Sequence, residues 1–167
     1  MKQVHLIPLA VVLLTTSAFA AQANDTDDKF VKKASVANAF EIQSSKIALD
    51  RSHNDDVRQF AQVMIDDHTD AGKAMKNALQ DSKVDSSLAT DTLDPRHQKL
   101  IDKLSNASDE DFDDKYVSEQ TDAHKEAVSL FKDYSKTGHD KALKGFAKDT
   151  LPTLKKHMEH VKQLNAS

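Results

Sequence analysis

Cysteine is absent from the 167 residues, and glycine and proline number three each. A chain without cysteine has no disulfides, no thiolate metal site, no cysteine nucleophile, no covalent haem attachment and no lipidated N-terminal cysteine. Glycine-rich phosphate loops and dinucleotide fingerprints are absent, so a nucleotide-dependent enzyme has no support. Runs of β-branched residues are also missing, whereas Ala, Lys, Asp, Leu and Gln are plentiful, so the composition favours helix over sheet. The 23 basic and 27 acidic residues are interspersed, with no basic block. Nucleic acid is therefore not an expected partner, because phosphate contacts need clustered Lys and Arg. No serine, cysteine or paired-acid constellation supports hydrolysis, and a binding role is expected ahead of an enzymatic one.

Long apolar runs are lacking too, apart from Leu6 to Leu14 near the N-terminus. That run follows the positive Lys2 and precedes Ala18-Phe19-Ala20, which has small residues where a signal peptidase reads. A signal peptide is expected over residues 1–20. Ala21-Gln22-Ala23 offers a second cleavage position as late as 23. The run falls short of the about 20 residues that cross a bilayer, so an uncleaved anchor is the weaker alternative, and no membrane-spanning segment is expected after cleavage. Residues 24–167 are then a single exported, periplasmic domain, held together by packing alone. Losing Lys2 leaves a net charge of −5.

Hydrophobic periodicity divides the exported region into four long helices. The first, Lys29 to Ser52, follows a polar capping lead-in at Asn24 to Asp28 and carries Phe30, Ala34, Ala37, Ser44 and Ala48 on one face. The second, Asp56 to Asp81, carries Val57, Phe60, Ala61, Met64, Ala71, Met75 and Leu79. A connection of about 25 residues follows, far longer than an ordinary helix–helix turn, with a short helix from Pro95 to Leu104. Ser108 and the acids Asp109, Glu110 and Asp111 start the third long helix, which runs to Lys136 with Gly138 as its stop. Its inward face carries Tyr116, Gln120, Ala123, Ala127, Phe131 and Tyr134. The fourth, Asp140 to Leu164, buries Leu143, Phe146, Ala147, Leu154, Met158 and Val161, and Pro152 is expected to kink it. Two helical hairpins joined by one long crossover give an all-α, ferritin-like four-helix bundle. A plain up-down bundle with an excursion between its second and third helices is the alternative.

Each long helix carries one strong potential ligand on its apolar face: Glu41, His68, His124 and His157. Counting residues from the turns places Glu41, His68 and His124 level near the middle of the bundle, and leaves His157 out of step by roughly 9 Å on ideal helices. A buried Glu or His needs a partner, and a divalent metal satisfies all four. Imidazole and carboxylate donors suit Zn, Cu, Fe or Mn. Asp67, at the edge of its stripe, is placed to join or orient a ligand, with a solvated helix-edge acid as the alternative. The competing explanation is a hydrogen-bonded core cluster in which Glu41 pairs with a histidine and no metal binds. His53, His97, His139 and His160 are expected at the surface.

These residues resemble a bacterial family catalogued as domain of unknown function 4142, a ferritin-like group of exported proteins. The resemblance rests on Phe30-Val31 and Glu41, on Phe60-Ala61-x-x-Met64-x-x-Asp67-His68, and on Phe112-Asp113-x-x-Tyr116 with His124. It continues with Phe146-Ala147 and Leu151-Pro152-x-Leu154-x-x-His157. It implies the ferritin-like bundle and an exported location, and brings no activity with it. Di-iron members of the wider fold place Glu-x-x-His on two helices. Here the residues three before His68, His124 and His157 are Ile65, Thr121 and Leu154, so a carboxylate-bridged di-iron centre is not expected.

Two functions compete. One is a metal-binding bundle in metal handling or stress protection. The other is a metal-free interaction or protective protein whose buried polar cluster fixes helix register. A non-covalent haem between His68 and either His124 or His157 is a third reading. No protein partner or homo-oligomer is assigned.

Overall fold

The computed structural model describes residues 16–164, with side chains from residue 25 onward. The expected signal peptide and its cleavage positions lie outside the described side chains. Five α-helices account for most of the described residues: α1 (Thr16–Arg51), α2 (Asp55–Gln80), α3 (Pro95–Ser105), α4 (Asp109–Thr137) and α5 (Lys141–Leu164). A single 3-10 turn, Ser86–Leu88, lies between α2 and α3, and no strand occurs among the described residues.

The helix starts are built as their side chains dictate. Asn54 Oδ1 accepts from the amides of Asp56 and Val57 at 2.9 and 3.3 Å, capping α2. Asp94 accepts from the His97 amide at 2.8 Å ahead of Pro95, and Ser108 from the Asp111 amide at 3.2 Å. Gly138 ends α4 with its amide on the Tyr134 carbonyl at 2.8 Å. Its φ is −57°, so glycine is needed there for space: a Cβ would lie 2.7 Å from the Tyr134 ring. Pro152 lies within α5, which continues past it to Leu164.

One boundary differs from the sequence reading. Asp25 to Asp28 are inside α1 and are not a lead-in cap. Asp27 is buried, and its carboxylate accepts from the Tyr134 hydroxyl at 2.7 Å and from the His139 and Asp140 amides at 3.0 Å each. It caps the turn between α4 and α5 and not its own helix. That tertiary demand extends α1 past the position where local capping rules would start it.

The four long helices pack with α1 against α2 and α4, and α5 against the same two. Along α1, Asp27, Glu41, Ser44 and Ser45 meet Tyr134, His124, Gln120 and Tyr116 of α4, so the two helices are antiparallel. Phe60 meets His160 and Asp67 meets His157, giving the same sense for α2 and α5. The α2–α4 connection begins beside the α4–α5 turn, where the Lys83 amide reaches Asp140 at 3.3 Å. It crosses α1 at Gln43, whose amide bonds the Asp91 carbonyl at 3.5 Å, and lays His97 over the buried Phe40 at 5.4 Å between rings. It ends where the Arg51 guanidinium holds the carbonyls of Leu104, Ser105 and Ala107 and the carboxylate of Asp109.

Two apolar clusters fill the interior. Phe30, Phe131, Phe146 and Leu143 anchor one, and Phe60, Met64, Phe112 and Val161 the other. Between them lies a polar layer in which Glu41, Ser44, Gln120, His68, His124 and His157 are all buried. The polar residues found by periodicity therefore occupy one level of the fold.

Candidate metal centre

His68, His124 and His157 come from three helices and meet at that level. Their ring centroids are 5.8 Å apart for His68–His124, and 5.5 Å apart for His68–His157 and His124–His157. One ring nitrogen of each lies within 4.8 Å of those of the other two. The expected mismatch of His157 does not appear, for two reasons. His124 lies 13 positions before Thr137 and His157 lies 16 after Lys141, a difference of three positions. That is about 4.5 Å along the axis. Side chains also tilt toward the N-terminus of their own helix, so on the antiparallel α4 and α5 these two rings lean toward each other.

The second nitrogen of each imidazole is already engaged. His68 Nδ1 is 3.1 Å from Asn38 Oδ1, and His124 Nδ1 is 2.9 Å from the Gln120 carbonyl. His157 Nε2 is 2.7 Å from Asp67 Oδ2. These acceptors fix the ring orientations and leave His68 Nε2, His124 Nε2 and His157 Nδ1, all buried and without a hydrogen-bond partner. An imidazole whose outer N–H is given to an oxygen presents a lone pair inward, the form that binds metal.

Glu41 is placed differently from the histidines. It is buried in the same layer, but Oε1 lies 3.5 Å from His124 Nδ1, on the outer edge of that ring, and Glu41 is not among the three residues whose donors converge. Its other oxygen, Oε2, is buried with no partner. Asp67 lies against His157, with its side chain 44% exposed. His97 departs from the surface expectation: its side chain is only 15% exposed and bonds Asp94 at 2.8 Å.

Electrostatics follow from burial. Loss of solvent holds the His68 imidazole well below its ordinary range, and the neighbouring His124 and His157 add to the effect. Burial lowers His157 as well, against the pull of Asp67. Burial also raises the Glu41 carboxyl, with His124 and the Gln120 amide opposing. His68 and His157 are thus held as neutral donors at neutral pH.

Periodicity did not find Asn38 or Gln120 as supports. Gln120 Nε2 donates to Ser44 Oγ at 3.0 Å, tying the layer across α1 and α4. Gln120 on the inward stripe was the available signal, whereas Asn38 had none, because it acts through a contact thirty positions away. Gly72 gives Asn38 its room, since a Cβ there would be 3.3 Å from Asn38 Nδ2.

No curated protein and no solved structure matches the chain. A family model described as a domain of unknown function matches residues 13–164, nearly all of the sequence. The chain belongs to that family, DUF4142.

Proposed function

We propose that this chain is an exported, periplasmic protein that folds as a single ferritin-like four-helix bundle and binds one divalent metal ion through His68, His124 and His157. Metal handling or stress protection is the role this suits. The observation that carries the reading is that three buried histidines each bring a ring nitrogen within 4.8 Å of the other two, while each ring keeps one buried nitrogen without a hydrogen-bond partner. Leaving three such groups unsatisfied costs roughly 1–3 kcal/mol each, and one cation satisfies them together. At about 2.0–2.1 Å from a tetrahedral ion, two nitrogens stand roughly 3.4 Å apart, so modest side-chain rotation closes the triad. Glu41 and Asp67 then sit outside the rings of His124 and His157, as carboxylates that support the donors and balance the charge of the ion. Imidazole donors suit Zn, Cu, Fe and Mn.

The ferritin-like arrangement is supported by the antiparallel α1–α4 and α2–α5 pairs and by a connection that touches Asp140 at one end of the bundle and Arg51 at the other. The periplasmic assignment rests on the Lys2, Leu6–Leu14 and Ala18-Phe19-Ala20 pattern. A haem does not suit the site. The three rings crowd one point, and the cavity beside His68 is about 20 Å³, too small for a macrocycle.

The Glu41–His124 contact and the Asn38–His68 bond favour a second reading, a metal-free layer that fixes helix register. Elemental analysis of untagged protein taken from the periplasm without chelator separates the two. Near-stoichiometric metal in the wild type, lost in His68→Ala, supports a metal centre. No metal in either supports the register device.

A further inference from the structure

A groove of about 670 Å³ runs between α1 and α4, and none of the three clustered histidines lines it. Its size lies within the about 300–1,000 Å³ of small-molecule sites. Val36 and Ala37 of α1 and Ala127 and Leu130 of α4 give it an apolar floor. The start of α3 bridges its walls at one end. There His97 lies over Phe40 of α1 at 5.4 Å between rings, and the Arg96 guanidinium holds both carboxylate oxygens of Glu126 on α4 at 2.8 and 2.5 Å. Every charge at that end is engaged, because Asp94 accepts from the His97 amide and ring nitrogen at 2.8 Å each. The opposite end differs. Lys32 and Lys33 line the groove there, exposed and without a salt-bridge partner. Asp133 lies at the same end, with Ser129 Oγ 3.5 Å from its carboxylate, so one positive charge is in excess. The two ends are seven to eight positions apart on α1, about 11 Å along the axis.

We propose that this groove binds one free, medium-chain fatty acid, with its tail toward Phe40 and His97 and its carboxylate at Lys32 and Lys33. The apolar floor takes the tail by burial, which needs no polar partner. The lysines supply the charge-assisted hydrogen bonds that a carboxylate accepts. Long lysine side chains lay their methylenes along an apolar surface and keep the ammonium at its edge, where the head group lies. The bridge formed by α3 sets the length. A span of about 11 Å suits a tail of medium length. One trough between two helices holds a single tail, so a two-tailed membrane lipid does not fit. The site is independent of the metal centre.

The test is equilibrium dialysis of the full exported chain against radiolabelled decanoate below its micellar range, with unlabelled decanol and butyrate as competitors. One decanoate is expected to bind per chain with saturation. Decanol, which lacks the charge, and butyrate, which lacks the tail, are expected to compete about tenfold more weakly or worse. The double variant Lys32→Gln, Lys33→Gln should weaken decanoate by a similar factor, and Lys32→Arg, Lys33→Arg should retain it. Ala123→Leu, which fills the groove beside the α3 bridge, should also lose about tenfold, with its helical circular dichroism unchanged. Absence of binding, or uptake of many decanoates without saturation, overturns the site. Equal competition by decanol overturns the role of the lysines. Undiminished affinity in both the double glutamine variant and Ala123→Leu places the fatty acid elsewhere and overturns the proposal.

Discussion

His157 gives its Nε2 to the half-exposed carboxylate of Asp67 at 2.7 Å and keeps Nδ1 for the buried interior. A bond at the surface of the bundle thus orients a donor at its centre. Partners of this kind typically contribute 10- to 100-fold to metal affinity. Asp67→Asn is therefore expected to weaken metal binding by about that factor, measured by competition with a chelator of known affinity. Thermal stability of the metal-free protein should change little, because the Asp67 side chain is 44% exposed. Undiminished affinity in the variant would remove Asp67 from the centre.

Asp27 predicts a stability effect far from the histidines. Its carboxylate takes three hydrogen bonds, from the Tyr134 hydroxyl and two amides of the α4–α5 turn. Removing an acceptor that leaves buried donors unsatisfied costs about 1–3 kcal/mol or more. Asp27→Ala should lower the urea midpoint accordingly while metal affinity holds. A midpoint equal to wild type would mean the turn is capped by solvent.

Acid should destabilise the metal-free protein through His68. Its folded value lies well below 6.5, so the unfolded chain takes up a proton that the folded chain refuses. This contribution is present above 6.5 and is lost as pH falls toward the folded value. His157 acts in the same sense. Glu41 acts oppositely: its raised carboxyl gives a contribution that is full below 4.5 and is lost as pH rises through the folded value. Urea unfolding of chelator-treated protein should show a midpoint that falls between about pH 7.5 and 5.5, with a flatter fall in His68→Leu. Identical slopes in the two proteins would contradict the burial of a neutral His68.

The core on either side of the polar layer should behave as ordinary packed interior. Phe60 is fully buried against Tyr116 and His160. Phe60→Ala is expected to cost about 3–5 kcal/mol, read by denaturant unfolding. A loss under about 1 kcal/mol would mean that the cluster around Phe60, Met64, Phe112 and Val161 is loosely packed.

Much of this arrangement was legible in the residues themselves. A 3.6-residue period located the four long helices, and counting from the turns put His68 and His124 at one height. The height of His157 was misjudged because axial counting ignores the N-terminal tilt of side chains, which on antiparallel helices brings His124 and His157 together. The outer position of Glu41 was not legible, since a helical wheel gives the face but not which edge of a neighbouring ring the carboxylate meets. Phe40 was missed because α1 has two covered faces: one faces the core, and the α2–α4 connection packs His97 over the other. A single stripe cannot describe such a helix. Asn38 and Asp27 act through partners distant in sequence, and no local pattern marks them.

The central claim is that His68, His124 and His157 share one ion. X-ray absorption at the zinc edge of stoichiometrically loaded protein tests it most directly. Three nitrogens at about 2.0–2.1 Å, with the outer-shell scattering of imidazole, are expected in the wild type, and fewer imidazoles in His68→Ala. A shell of oxygens alone, or a spectrum unchanged by the substitution, would place the ion elsewhere and contradict the account.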